Sequence, residues 1–182
     1  LADEFGCWII EDACHAPGAY FTDSSKKRQK CGNSMFADMS IFSFHPVKHI
    51  ATGEGGMITT NNEDLYKKLM LLRTHGISKD PDLMTENHGG WYYQMLELGY
   101  NYRLTDFQAA LGLSQLKRAE AGLKRRNEIA QFYNEAFKNT KVIVPAIEKN
   151  VFHALSYTSI VIHIKLPALV LLFIQTICIS ML

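Results

Sequence analysis

The sequence predicts an α/β fold, because short apolar runs of strand character alternate along it with stretches of helical period. Apolar residues alternate at Ala37, Met39 and Ile41, the period of a half-buried strand, and a second short strand reads at 57–60. An apolar run at 7–10 ends in the acidic pair Glu11-Asp12. Around these, apolar residues recur every three or four positions over 62–72 and 115–139, as in helices that pack on a sheet.

Taken in order, residues 2–5 read as the tail of a helix and 7–10 as a buried strand. Carboxylates at the carboxyl end of such a strand point into the crevice where α/β proteins bind ligands, which makes Asp12 a candidate site residue. Capping of the following turn is the structural alternative, a task Asp performs well. Residues 22–34 are polar and turn-rich and read as a hairpin or loop, with Lys26-Lys27-Arg28 at a solvated tip.

The strand through Ile41 stops at Pro46, which has no N–H to donate into a ladder. Lys48 follows in the turn, and Gly53, Gly55 and Gly56 close the loop with freedom for positive φ and close backbone approach. A lysine at a strand exit, backed by a glycine turn, is where an amine can be desolvated and used as a nucleophile. An exposed loop lysine is the plainer alternative. His45 and His49 have no acidic partners at metal-ligand spacing, so no metal site is expected and neither receives a role.

Asn62 is placed to cap the next helix, Glu63 and Asp64 suit its positive end, and Leu65, Leu69 and Leu72 mark its apolar face. Residues 77–90 form a polar loop ahead of Trp91-Tyr92-Tyr93. An irregular stretch then carries Asn101 before Thr105 and Gln108, which form a capping box. Asn101 is a candidate binding residue, with a left-handed turn position as the alternative. Ile129, Phe132, Tyr133, Ala136 and Phe137 share one face of a further helix, and 141–145 looks like the strand beyond it.

Composition narrows the function. Nineteen basic side chains against 18 acidic ones leave a net charge of +1, which gives no electrostatic case for nucleic acid or an anionic membrane. Cys7, Cys14, Cys31 and Cys178 show no CxxC spacing, as expected of a reduced, cytoplasmic protein. The chain opens at Leu1 without a basic-then-apolar leader, so no signal peptide is expected. After Glu148 no acid recurs, and 166–182 carries no formal charge. That stretch sits at the lower limit of a membrane span but is interrupted by Pro167 and Gln175. Residues from about 155 onward are expected to be an out-of-frame or otherwise aberrant end.

Three stretches carry a family resemblance. They are Ile-Glu-Asp-Ala-Cys-His-Ala at 10–16, Ser-Phe-His-Pro-Val-Lys-His-Ile-Ala-Thr-Gly-Glu-Gly-Gly at 43–56, and Leu-Gly-Tyr-Asn-Tyr-Arg-Leu-Thr-Asp-Phe-Gln-Ala-Ala-Leu-Gly at 98–112. In this order and spacing the chain resembles the DegT/DnrJ/EryC1/StrS family of pyridoxal-phosphate (PLP) sugar aminotransferases over roughly residues 1–150. The resemblance implies a PLP-dependent transferase of the aspartate aminotransferase-like fold type I, with much of its large domain ahead of Leu1, so the chain is expected to be a fragment. Residues 1–118 would be the C-terminal part of the PLP-binding large domain, and 119–150 the connecting helix and start of a small domain. Residues 151–182 would be the apolar tail, with the small domain missing or aberrant.

The resemblance also implies roles. Lys48 is the Schiff-base lysine and proton carrier, and Asp12 faces the pyridine nitrogen. His15 lies against the ring and its phenolic oxygen, while Ser43 binds the phosphate. Asn101 reaches the phosphate of the neighbouring subunit, which implies a homodimer with a shared site. Lysine at position 48 implies transamination, since related sugar dehydratases carry histidine there. The implied partners are a UDP-linked 4-keto-6-deoxy sugar and glutamate, in the synthesis of pseudaminic acid or a related surface sugar. Trp91-Tyr92-Tyr93 would lie near the sugar nucleotide or against the partner subunit. Rival readings are an inactive remnant of such an enzyme and a membrane-tethered structural module.

Overall fold

The computed structural model describes residues 1–155 and 161–162. In chain order the elements are α1 (Ala2–Phe5), β1 (Ile10–Asp12), β2 (Tyr20–Thr22), β3 (Arg28–Lys30), β4 (Met39–Ser43), β5 (Gly56–Thr59) and α2 (Glu63–Leu72). There follow β6 (Ile77–Ser78), β7 (Gln94–Met95), α3 (Asp106–Leu116), α4 (Ala119–Phe137), β8 (Val142–Ile143), β9 (Val151–Phe152) and β10 (Val161–Ile162).

Strand β4 is the centre of a sheet ordered β1-β4-β5. It runs parallel to β1, with Asp12 opposite Ile41, and antiparallel to β5, with Ser43 opposite Gly56. The apolar alternation predicts burial of Met39 and Ile41. Instead both are half-buried, and Ser40 between them is fully enclosed.

A polar knot explains the inversion. The Ser40 hydroxyl donates to Glu11 Oε2 at 2.7 Å, and the Gly32 N–H donates to both Glu11 oxygens, at 3.2 and 3.0 Å. Ser34 Oγ lies 3.1 Å from Ser40 Oγ. Polar groups that satisfy one another tolerate burial. Successive strand residues face opposite sides of a sheet, so Glu11 turns away from Asp12 and braces the hairpin loop. The expectation that both acids enter a crevice is therefore corrected: Glu11 is an anchor.

The run at 7–10 also differs from its reading as a buried strand. Pairing begins only at Ile10, and Trp8 and Ile10 are 63% and 57% exposed. Among the described residues both are covered only in part.

Residues 22–34 do form a hairpin, β2 pairing antiparallel with β3. Asp23 builds its turn. One carboxylate oxygen accepts the Ser25 N–H at 2.9 Å, the Ser25 hydroxyl at 2.7 Å and the Lys27 N–H at 2.9 Å; the other accepts Gln29 Nε2 at 2.8 Å. Bonds from Gln29, then Ser25, then the Lys27 backbone pull the carboxyl pKa down to about 2. A depressed acid stabilises the fold above its unfolded pKa of about 4, and the contribution disappears as pH falls through the folded value. An NMR titration is expected to place the Asp23 midpoint near the lower figure, and Asp23→Asn to loosen Ser25 and Lys27 amide protection. The basic tip is exposed as expected, while Arg28 lies 4.1 Å over the Tyr20 ring, which stacks on Phe152 at 4.8 Å.

The helix signals hold. Asn62 Oδ1 accepts the N–H groups of Asp64 and Leu65 at 2.9 and 3.0 Å, and Thr105 with Gln108 completes a capping box at α3. Strand β9 pairs with β2, and Ala154 is 1% exposed, so the packed fold runs on past residue 150. The charge-free stretch 166–182, with Cys178, lies outside the described residues. Among the described residues no helix is long and apolar enough to cross a membrane.

Candidate active site

Because β1 and β4 are parallel and adjacent, the residues leaving their carboxyl ends emerge together. Asp12 closes β1. The next residue, Ala13, is fully buried and donates its N–H to the Ile41 carbonyl at 2.9 Å, which turns the chain toward β4. Asp12 Oδ1 accepts the Cys14 N–H at 3.0 Å, so the capping alternative is realised as well. His15 follows on the same turn.

Strand β4 ends at Ser43, and the loop to β5 is pinched at its root. The Phe44 N–H donates to the Gly55 carbonyl at 2.8 Å and the Thr52 N–H to the Phe44 carbonyl at 2.9 Å. At the tip the Lys48 N–H donates to the His45 carbonyl at 2.9 Å, a turn set up where Pro46 ends the strand. This geometry brings Lys48 Nζ into direct hydrogen-bond contact with His15 Nε2.

Asp12 stands close enough to feel both. Its carboxyl is held below the ordinary range, chiefly by the bonds to Cys14, against a desolvation that raises it, with the charges of His15 and Lys48 adding lesser lowering effects. The Cys14 thiol is pushed up by burial and by the same carboxylate. Asp12, His15 and Lys48 thus form one cluster. Ser43 lies at the root of the Lys48 loop, where its Oγ accepts the His45 N–H at 3.4 Å and keeps its own proton to donate.

The glycine loop rests on the start of α3. Gln108 Nε2 and the Thr52 hydroxyl both donate to the Glu54 carbonyl, at 2.8 and 2.6 Å. Gly55 has φ 148°, and a Cβ there would lie 2.7 Å from Thr52 Oγ1 and 3.0 Å from Leu104 Cδ1. Gln108 works twice, since its side-chain oxygen also accepts the Thr105 N–H at 3.1 Å. Sequence reasoning found only the capping half of that role.

Asn101 is not part of the cluster. It is exposed and bridges Thr74, beyond the end of α2. Its backbone is fixed by the Tyr100 N–H donating to Leu72 and the Tyr102 N–H to Arg73, at 2.8 and 2.9 Å. Here the chain crosses itself at Gly76 and Gly99. A Cβ on Gly99 would lie 2.2 Å from the Gly76 nitrogen. Trp91 is 73% exposed, and Tyr92 packs edge-on against His88 at 4.7 Å.

The arrangement is that of an amine, an imidazole and an ionised carboxylate at the end of a sheet. A model of the "DegT/DnrJ/EryC1/StrS aminotransferase family" matches residues 1–173. The chain belongs to this family. The match runs beyond residue 150, where the resemblance read from the sequence ends. The chain is 46% identical over 138 residues to UDP-4-amino-4,6-dideoxy-N-acetyl-beta-L-altrosamine transaminase of Campylobacter jejuni, covering 76% of this chain and 33% of that protein.

Among solved structures it resembles Helicobacter pylori PseC, an aminotransferase involved in the biosynthesis of pseudoaminic acid. That likeness has a TM-score of 0.74 and 31% identity, over 89% of this chain and 40% of that one. It also resembles the PLP-form of a sugar aminotransferase, Spr1654, from Streptococcus pneumoniae, with a TM-score of 0.71 and 28% identity over 87% and 38% of the two chains. The chain spans 32–41% of the length of curated relatives it matches.

Proposed function

We propose that this chain is the part of a PLP-dependent transaminase that carries the cofactor lysine. The whole protein moves an amino group from glutamate to C4 of a UDP-linked 4-keto-6-deoxy sugar. The product enters pseudaminic acid or a related surface sugar. The observation that carries the reading is the contact of the Lys48 amine with His15, beside a carboxylate held ionised at the end of β1.

The donor set suits PLP. An anionic Asp12 can hold a pyridine N–H, Lys48 offers a primary amine, and Ser43 offers a hydroxyl proton to a phosphate. When bound, PLP supplies an electron sink for the substrate carbon that loses its proton. Lys48 Nζ would take that proton as general base and give it back as general acid. His15 steers the amine and would lie against the ring. Asn101, standing apart from this cluster, suits a contact with the phosphate of a partner subunit in a homodimer.

The break between α3 and α4 supports a boundary at about 118 between the large domain (1–118) and the connecting helix with the start of the small domain (119–150). Residues 151–154 pack with the fold, so the tail expected at 151–182 would have its aberrant portion only from about 155. The free thiols of Cys7, Cys14 and Cys31 support a cytoplasmic setting.

The test is to incubate the full-length protein with PLP, reduce with borohydride and map the labelled peptide, then assay glutamate with the UDP-keto sugar. Label on Lys48 and amino-sugar formation are expected. Label on another lysine, or none, would refute the proposal.

A further inference from the structure

His49 has no task in the scheme above. It directly follows Lys48, is half-buried, and its Nε2 lies 2.9 Å from the Ala154 carbonyl, 105 residues further along the chain. A carbonyl oxygen can only accept, so Nε2 carries the proton. The other ring nitrogen, Nδ1, is buried and has no hydrogen-bond partner among the described residues. A second proton there would be a buried donor with nothing to receive it. The ring is therefore the neutral Nε2–H tautomer.

Its surroundings favour that state. Burial lowers the pKa of His49 most. Positive charge faces it from Arg126 on α4, His15 after β1 and His153 after β9, and only the bond to Ala154 opposes them.

The acceptor is firmly held. Strand β9 is paired with β2. Asn127 on α4 donates from Nδ2 to the Leu123 carbonyl at 3.0 Å and the His153 carbonyl at 3.4 Å. The Leu155 N–H donates to His153 Nδ1 at 2.8 Å. The Lys48 turn, by contrast, is pinched at its root, and its residues 45–47 are exposed.

We infer that His49 is a positioning residue: its Nε2–H fastens the tip of the turn to the Ala154 carbonyl and thereby holds the Lys48 amine at His15. The labelling readout rests on the transaminase reading, whereas the bond and the tautomer do not. Protonation at Nδ1 leaves the Nε2–H in place but puts an unpartnered donor and a charge inside the buried site, so the seated ring that makes the clasp is fully favoured above the ordinary histidine pKa and is destabilised as pH falls through the lowered one.

The test uses the full-length protein with His49→Gln, which keeps an N–H donor of similar reach and never titrates, and His49→Leu, which cannot donate. Nitrogen-15 histidine spectra at neutral pH are expected to show the Nε2–H tautomer. His49→Leu is expected to speed hydrogen exchange at the Lys48 amide and to slow borohydride-fixed PLP labelling of Lys48 about tenfold. His49→Gln is expected to restore both and to lack the wild-type loss of labelling on the acid side of the histidine range.

An Nδ1–H ring or an imidazolium at neutral pH would overturn the inference, as would wild-type exchange and labelling in His49→Leu. Should the leucine variant unfold, the pH profile of the glutamine variant decides. If the wild type takes up no PLP, the transaminase reading fails, while tautomer and exchange still judge the clasp.

Discussion

Replacing Lys48 with alanine is expected to end borohydride-fixed PLP labelling and to cut transamination by about 10⁴-fold, the upper range for loss of a positioned acid/base group. The fold should survive. The Lys48 side chain hydrogen-bonds His15, and the backbone bond from its N–H to His45 does not depend on the side chain. Stability is therefore expected to change by no more than about 0.5 kcal/mol, which thermal unfolding measures directly. Lys48→Arg separates charge from chemistry. It keeps a cation near Asp12 and His15 but offers no primary amine, so its rate is expected to stay as low as that of alanine. Activity within tenfold of wild type in either variant would remove Lys48 from the mechanism.

Gly99→Ala is expected to be the most destabilising single-methyl addition in the chain segment that carries Asn101. The new Cβ would lie 2.2 Å from the Gly76 nitrogen, 2.6 Å from the His75 carbonyl carbon and 2.7 Å from the Leu72 oxygen. All three are backbone atoms, so no side chain can rotate away, and the crossing itself must open. A cost of about 3 kcal/mol follows, at the top of the usual overpacking range. Opening also breaks the Tyr100–Leu72 and Tyr102–Arg73 bonds on either side of Asn101. Denaturant unfolding is expected to show the loss, with Gly122→Ala as the contrast: a Cβ on Gly122, inside α4, meets nothing within 4 Å. Equal stability of the two variants would mean that the crossing is looser than its geometry indicates.

The legible features were those whose partners lie close along the chain. Asn62 bonds amides two and three residues on, and Thr105 and Gln108 close a box within one turn, so sequence alone locates both helix starts. The Lys48 loop was equally plain, since Pro46 and the glycines restrict its backbone whatever packs around it. Features that depend on distant partners were misread or missed. Ser40 looked like the outward residue of an alternating strand, but a carboxylate 29 positions earlier satisfies its hydroxyl and draws it inside. Glu11 stands beside Asp12 in the sequence, and only its bonds to Gly32 and Ser40, 21 and 29 positions on, make it an anchor. His49 carried no local signal, because its acceptor is 105 residues away.

By itself the sequence determined which residue types stand where: an aspartate at the end of one strand, a lysine in the turn after another, and helix caps written in adjacent residues. Tertiary structure decided which of them meet. Parallel pairing of β1 with β4 brings Asp12 and His15 to Lys48, and the same pairing turns Glu11 into an anchor. The physical reason is range. Capping and turn bonds act over a few residues, whereas burial and strand pairing depend on surfaces that exist only once the chain has folded.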